Sequence, residues 1–507
     1  MKKQISDLLD ICRKNHNSAI FCIAFCMITI TCGLAQPLFA QGYGGPLTFE
    51  GLEHSALHSA AGRAMGGIAV GVQQDIGLMF QNPATLQSLQ RIQFSIGGLH
   101  SSQDSEQEQQ FAPVRYYPNL SLLLEGLTAQ IPNPDTTLPG FTAQDTVQRP
   151  FDDIGPNWSR SSNRGTPVQA MLAVPVSLGK LKVVAGIGAV EYAGLHHFYQ
   201  NNNVLSPEIL SQRPLPTFRP ADNDPMEVQW SQSIRARDGS IQGYGIALAA
   251  AVSKSLSFGV SGMILNGSSD DFEQQVARGR LTFFSNAFRA DSVYRHVTKT
   301  GVSDFSGQEF TLSGIVSGKF VSLGVAIKMP STITRKYSGQ IATDTTGTPS
   351  VSAIVGEDKL ELPLRGTIGI SITPRENLLI GLGYEFRPYE SGTFIDAAGE
   401  ETSPWLSASL FRFGAEYRIG SWLALRGGMR GEAEVFEPEG NHLAGEPVTF
   451  TIYSAGVGLS YSRLRLDMTY ENSLAKYQDI WSSAISKNSA RRHSIIGQLS
   501  YEIPWMP

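Results

Sequence analysis

Two stretches late in the chain alternate with a period of two, and the alternation is unusually clean. Between Phe411 and Ile419, Phe411, Phe413, Ala415, Tyr417 and Ile419 fall on one face, with Arg412, Gly414, Glu416 and Arg418 on the other. Between Arg463 and Glu471, Leu464, Leu466, Met468 and Tyr470 alternate with Arg463, Arg465, Asp467, Thr469 and Glu471. Successive side chains of a strand point to opposite faces, so each segment is a strand with one apolar face and one dense row of charge. Two architectures use such strands. A soluble sandwich turns the apolar face inward to a core, whereas a membrane barrel turns it outward to lipid and keeps the charges in its lumen. Alternation alone does not separate the two.

Turn spacing favours the barrel. Strand pairs are predicted at 168–176 with 181–192, 242–252 with 256–265, 309–316 with 320–328, 364–372 with 378–387, 410–418 with 422–430, and 451–461 with 464–471. Brief polar turns such as Ser253-Lys254-Ser255 and Ile419-Gly420-Ser421 join the partners of a pair. Much longer stretches rich in Asn, Asp, Gly, Pro and Ser separate one pair from the next. Single strands at 92–99 and 492–503 bring the total to about 14, an even number as bacterial barrels require. Segments 227–236 and 272–283 read as strand extensions beyond the membrane. The fold class is therefore all-β, a transmembrane antiparallel barrel with long extracellular loops.

The first 35 residues read as a signal peptide, with Lys2, Lys3, Arg13 and Lys14 ahead of an apolar run and Gly33-Leu34-Ala35 at the cleavage end. Cleavage after Ala40 is the second option, and an uncleaved membrane anchor is the competing reading. Lipid attachment at Cys32 is weaker still, because Thr29 and Thr31 make a poor recognition box. All four cysteines (Cys12, Cys22, Cys26, Cys32) fall in this segment, so cleavage leaves no thiol chemistry. No later apolar run approaches 18 residues, so a mature chain in a membrane must be a closed barrel. The expected location is the outer membrane of a Gram-negative-type bacterium, in contact with its lipid. A net charge of -5 gives no sign of a nucleic-acid partner.

A barrel of about 14 strands is too wide for its own side chains to fill. Residues 41–91 precede the first strand and are rich in small residues, including Ala60-Ala61-Gly62 and Gly66-Gly67. They are long enough to fold back as a plug, or hatch, inside residues 92–507. A leader lying outside the lumen is the alternative.

Gly62-Arg63-Ala64-Met65-Gly66-Gly67-Ile68-Ala69-Val70, then Asp75 and Asn82-Pro83-Ala84-Thr85-Leu86, resembles the N-terminal hatch of the FadL-like (OMPP1/TodX) outer-membrane family. There a Gly-rich start leads into an Asn-Pro-Ala-Gly-Leu box, and Thr85 departs from it. Ile327 to Thr334, Leu362-Pro363-Leu364-Arg365, and Phe413 to Arg418 followed by Leu425-Arg426-Gly427-Gly428 are similar to later segments of the family. The resemblance implies a channel for hydrophobic or amphipathic small molecules such as long-chain fatty acids, with no cofactor and no enzymatic activity. It implies a gating hatch, carried here by Gly66, Gly67, Asn82, Pro83 and Ala84, with lateral or periplasmic exit. Some such barrels dock partner proteins in secretion systems, so a docking or shuttle subunit binding proteins through its long loops is the alternative function.

The chain shows no nucleophile elbow, P-loop, His-Glu-x-x-His or Cys-x-x-Cys site. The adjacent His196-His197 is not spaced for one metal, and Asp270, Asp271 and Glu273 read as an acidic turn. No metal site is expected. Two features suit a ligand. Arg412, Arg418 and Arg426 face the lumen, where a salt-bridged wet interior is the favoured account of them and binding of a carboxylate head group is the sharper alternative. Leu122, Leu123 and Leu127 form an apolar cluster in the first long loop that needs a partner.

Overall fold

Phe411, Tyr417 and Ile419 are 58%, 48% and 41% exposed in the computed structural model, whereas Arg412 and Glu416 on the opposite face are 3% and 2% exposed. A soluble sandwich would show the reverse. The same inversion holds around the whole wall, where Phe94, Ile246, Leu312, Ile368 and Ile495 stand exposed on the outside. Apolar side chains outside and charges inside define a membrane barrel. Among the described residues no helix is long and apolar enough to cross a membrane.

The structure describes residues 58–72, 74–109, 158–178, 181–205, 226–283, 288–291, 295–344, 348–403, 406–434, 448–481 and 484–504. The signal segment and Leu122, Leu123 and Leu127 lie outside the described residues.

Fourteen antiparallel strands close the barrel. They are β1 (Ile92–Gln109), β2 (Trp158–Leu178), β3 (Leu181–Gly194 and His197–Leu205), β4 (Met226–Ala251) and β5 (Leu256–Phe283). Next come β6 (Arg295–Ser317), β7 (Val321–Lys328 and Ser331–Asp344), β8 (Ser350–Leu362 and Arg365–Arg375), β9 (Leu378–Arg387) and β10 (Ala408–Ile419). β11 (Leu423–Glu434), β12 (Val448–Tyr461), β13 (Leu464–Trp481) and β14 (Ala484–Ile503) complete the ring. Each pairs with its neighbours in sequence, and β14 closes on β1 from Ile92↔Ile503 to Gln109↔Ser486. All six expected hairpins and both single strands are present, and 227–236 and 272–283 extend β4 and β5 as read from the sequence. Trp422, Tyr461 and Tyr501 are exposed near the short-turn end, as an aromatic girdle requires.

Three strands are interrupted. In β7 and β8 the ladder passes from Lys328↔Arg365 to Ser331↔Leu362, skipping Met329-Pro330 and Pro363-Leu364. Proline has no N–H to give a ladder, so both strands break at the same level. The break shifts the alternation, which is why Lys328 and Ile333, and equally Leu362 and Arg365, all face inward. Between β2 and β3 the ladder stops at Ala170↔Ala189, and above it β3 pairs with β4 alone. The wall is also uneven in height. β4 and β5 have 26 and 28 residues, against 10 in β9 and 12 in β10.

Residues 58–72 and 74–91 pack inside the ring as a plug. It contains one short helix, α1 (Ala60–Ala64), and 3-10 turns at Ile76–Leu78 and Pro83–Ser88. Met65, Ile76, Leu78, Met79, Phe80 and Leu86 are at most 1% exposed, so the plug supplies the core that the wide barrel lacks.

Candidate functional site

The first half of the plug is held by polar groups. Ser59 caps α1, its hydroxyl accepting from the Gly62 N–H at 2.7 Å and donating to Asp75. Asp75 in turn accepts from the Gly77 N–H at 2.9 Å and from Gln498 Nε2 at 3.0 Å, which ties two parts of the plug to β14. The Ala60 N–H donates to Gln498 Oε1 at 2.8 Å, Thr469 donates to the Ala60 carbonyl at 2.7 Å, and Ser454 to that of Ala64 at 3.0 Å.

A chain of charge completes this side. Arg63 of the plug pairs with Glu471, which also binds Arg430. Arg430 meets Glu432, Glu432 meets Arg387, and Arg387 meets Glu385. Glu385 pairs with Arg412, which donates to the Gly67 carbonyl at 2.9 Å. The chain starts and ends on the plug. A second chain joins Arg418, Glu416, Arg426, Asp467 and Arg465. The lumen was expected to be wet, yet these groups are mostly buried because the plug lies on them. A carboxylate or guanidinium taken out of water is tolerable only when paired, and here almost every one is.

Close approach makes that burial possible. A side chain at Gly414 or Gly428 would collide with the backbone of Met65 and Gly66, and one at Gly456 would stand 2.6 Å from the Ala64 Cβ. Gly66 itself has φ +66°, a left-handed conformation that favours glycine.

The second half of the plug is packed by shape. Met79 and Phe80 lie against Gly186 and Gly245, and the Ala84 N–H donates to Ser313 Oγ at 2.9 Å. Lys182 donates to the Gln87 and Leu89 carbonyls at 3.0 and 2.8 Å. Asn82 precedes the Pro83 turn, is 2% exposed, and its Oδ1 has no hydrogen-bond partner. One apolar cluster runs from Met79, Phe80 and Leu86 up the inner wall through Met263, Phe305, Ile333 and Leu360.

Just above the plug this cluster meets a charged group on β3, β6, β7 and β8. Glu309 binds Lys328 Nζ at 2.6 Å, Arg365 Nη2 at 2.8 Å and the Tyr192 hydroxyl at 2.9 Å. Two cations share one carboxylate, and the buried Arg365 Nε has no partner. On β6 the next inward side chains, Thr311 and Ser313, already touch the plug, which fixes the level of this group.

Beside it, a narrow cleft of about 10 Å³, room for a single water, lies between the plug and β7–β9. Ile68, Val70, Gln81 and Asn82 form one side; Ala326, Thr367, Leu382 and Arg412 form much of the other. Arg412 Nε is a second buried donor without a partner.

The structure thus places Gly66, Gly67, Asn82, Pro83 and Ala84 inside the barrel at the plug–wall contact. Arg412 and Arg426 are buried and ion-paired, while Arg418 is half-exposed and bound to Glu416. Asp271 is bound by Arg237 and Ser303 on an inner wall face, and among the described residues no cluster could hold a metal. Sequence reasoning passed over Glu309, Lys328, Arg365, Glu385 and Arg387. Their signal was a charge at an inward position between outward apolar residues, as in Tyr384-Glu385-Phe386, and for Lys328 and Arg365 the breaks in β7 and β8 hid the parity.

No family model and no curated protein matches the sequence. Solved structures match the fold. A FadL homologue of Pseudomonas aeruginosa is 12% identical with a TM-score of 0.56, over 92% of this chain and 100% of that one. The toluene transporter TodX of P. putida is 14% identical with a TM-score of 0.54, over 89% and 100%. CymD, a monoaromatic hydrocarbon channel, is 13% identical with a TM-score of 0.50, over 88% and 98%. The chain has the FadL-like fold, a plugged 14-strand barrel.

Proposed function

We propose that this protein is an outer-membrane channel for the uptake of hydrophobic small molecules, with amphipathic acids such as long-chain fatty acids as its preferred class. One observation carries the reading. A continuous cluster of buried apolar side chains on the inner wall leads down to Glu309, Lys328 and Arg365, a buried group with one more cation than anion and an unpartnered guanidinium N–H. An alkyl chain on the apolar surface gains about 0.8 kcal/mol per buried CH₂. Its carboxylate then takes the free charge and the free donor. Arg412 and Arg426 are engaged with carboxylates of the wall, so their contribution is to the field rather than to direct contact. The outer ligand contacts of Leu122, Leu123 and Leu127 remain part of the proposal. The end of the β2–β3 ladder at Ala170 and Ala189 supports a lateral exit, and the plug supports a gated periplasmic one.

The test is lipid extraction and mass spectrometry of purified protein, beside a variant lacking residues 41–91 and the variant Arg365→Ala. A fatty acid should co-purify with the intact chain and fall at least tenfold with Arg365→Ala, while toluene binding persists. Protein free of any apolar ligand, with a stoichiometric protein partner in its place, would move the function to docking.

A further inference from the structure

The plug is fastened to β10–β14 by ion pairs and to β3–β6 by tight packing and the Ala84–Ser313 hydrogen bond. The remaining sector differs. Among the described residues no hydrogen bond joins Ile68–Gly71 to β7, β8 or β9. Contact there is mostly apolar, with Val70 against Gly324 and Gly369 and Ile68 against Gly381, and Gly71 beside the unpartnered Ser371 hydroxyl. The cleft lies in this same sector, under Lys328 and Arg365.

We propose that ligand crosses the level of the plug through this seam, by displacement of the strap Ile68–Val70 from β7–β9, with Asn82 and Arg412 as positioning residues along the way. The inference rests on the channel reading above and adds the route. Three observations converge on it. The strap is bounded by glycines in left-handed conformations, Gly66 and Gly67 at φ +66° and +83° and Gly71 at +86°. Such residues absorb a change of direction with little strain. The wall behind the strap carries Gly324, Ala326, Thr367 and Gly369, so moving the strap opens a passage that wall side chains do not refill. Finally, the cleft holds a complementary unpartnered pair, the acceptor Asn82 Oδ1 and the donor Arg412 Nε, each on a residue at most 3% exposed. Gln81 and Arg412 both donate to the Gly67 carbonyl, at 3.0 and 2.9 Å, so the pair and the hinge meet at one place. A passing polar head group finds there what a dry apolar cleft would deny it. Displacing the plug elsewhere would break ion pairs or buried hydrogen bonds. Parting the seam breaks no ion pair, and of the strap's own bonds it strains only the long one from the Ile68 N–H to the Met65 carbonyl at 3.4 Å.

A disulfide across the seam tests the route. The Val70 Cβ stands 3.4 Å from where a Cβ on residue 369 would lie, and the Ile68 Cβ 3.4 Å from one on residue 381. Bridged cysteines have Cβ separations of about 3.5–4.5 Å, so both pairs need only a small adjustment. Every native cysteine lies in the first 32 residues. The double variants Val70→Cys/Gly369→Cys and Ile68→Cys/Gly381→Cys would be compared oxidised and reduced, in proteoliposomes given a labelled long-chain fatty acid. Uptake should fall more than tenfold on oxidation and return on reduction, in at least one pair. Equal uptake in both states of both pairs overturns the seam and leaves the wall as the way out. No uptake by the unmodified protein would instead defeat the channel reading itself, and the inference with it.

Discussion

The plug meets the barrel in two unlike ways. Along β9–β13, alternating arginine and glutamate side chains run from Arg63 back to the Gly67 carbonyl. Where the strap 68–71 meets β7–β9, the contacts are aliphatic groups, glycines and the Ser371 hydroxyl beside Gly71, with no ion pair or hydrogen bond across among the described residues. Both interfaces are dry and close, yet they differ in how much they tolerate. Burying ions adds little net stability over an apolar core of equal volume, but losing one partner strands the other. The charged side therefore fixes where the plug sits. Apolar contact loses energy gradually and in any direction, so the seam permits movement. A gate needs one side of each kind.

The largest effect should come from Glu471→Gln, which leaves Arg63 and Arg430 without their shared carboxylate. A loss of about 3–5 kcal/mol is expected, read as a lower urea midpoint in detergent micelles. An unchanged midpoint would mean the charged side is not the anchor. Gly414→Ala should cost about 1–3 kcal/mol, because the new methyl meets the Met65 backbone. Hydrogen exchange should then quicken in residues 60–67 while the seam keeps its rate. Val70→Ala removes buried methyls from the seam, for about 1–2 kcal/mol. Here the contrast inverts, since exchange should quicken at 68–71 alone and fatty-acid uptake should rise.

A smaller effect follows pH. His58 is buried near Phe80, and burial, reinforced by the charges of Lys328 and Arg63, holds its imidazole down to about 3. The folded plug thus keeps it neutral, while an unfolded chain would protonate it near 6.5. Its contribution is complete above that value and is lost as pH falls toward the folded pKa. Plug protection, corrected for intrinsic exchange, should weaken between pH 7 and pH 4 in the native chain. His58→Leu should flatten that slope; an identical slope in both would assign the acid sensitivity to other groups.

Much of this contrast was legible in the sequence, and for a definite reason. Arg412, Glu416, Arg426, Asp467 and Glu471 sit in uninterrupted strands, where period two reports the inward face without error. The hairpins were legible through their short polar turns. Lys328 and Arg365 were not assigned, because Pro330 and Pro363 shift the count by one between the two halves of β7 and β8. Gly66, Gly67 and Asn82 could be singled out by their motif. Nothing local told that Val70 would face Gly369, since that contact joins residues distant in sequence across the lumen.

The distances along the chain set an order of assembly. The partners of the plug arrive late: Gly67 waits for Arg412, 345 residues on, Arg63 for Glu471, 408 on, and Ala60 for Gln498, 438 on. Gln498 belongs to the last strand, the same one that seals the ring against β1. A segment made first is therefore completed last, and its ionic partners exist only as the cylinder shuts. Closing so long a loop costs entropy that no earlier contact of the plug repays. The plug is tied down by the strands that close the ring, so any lesion in the final strands should betray itself at residues near the start.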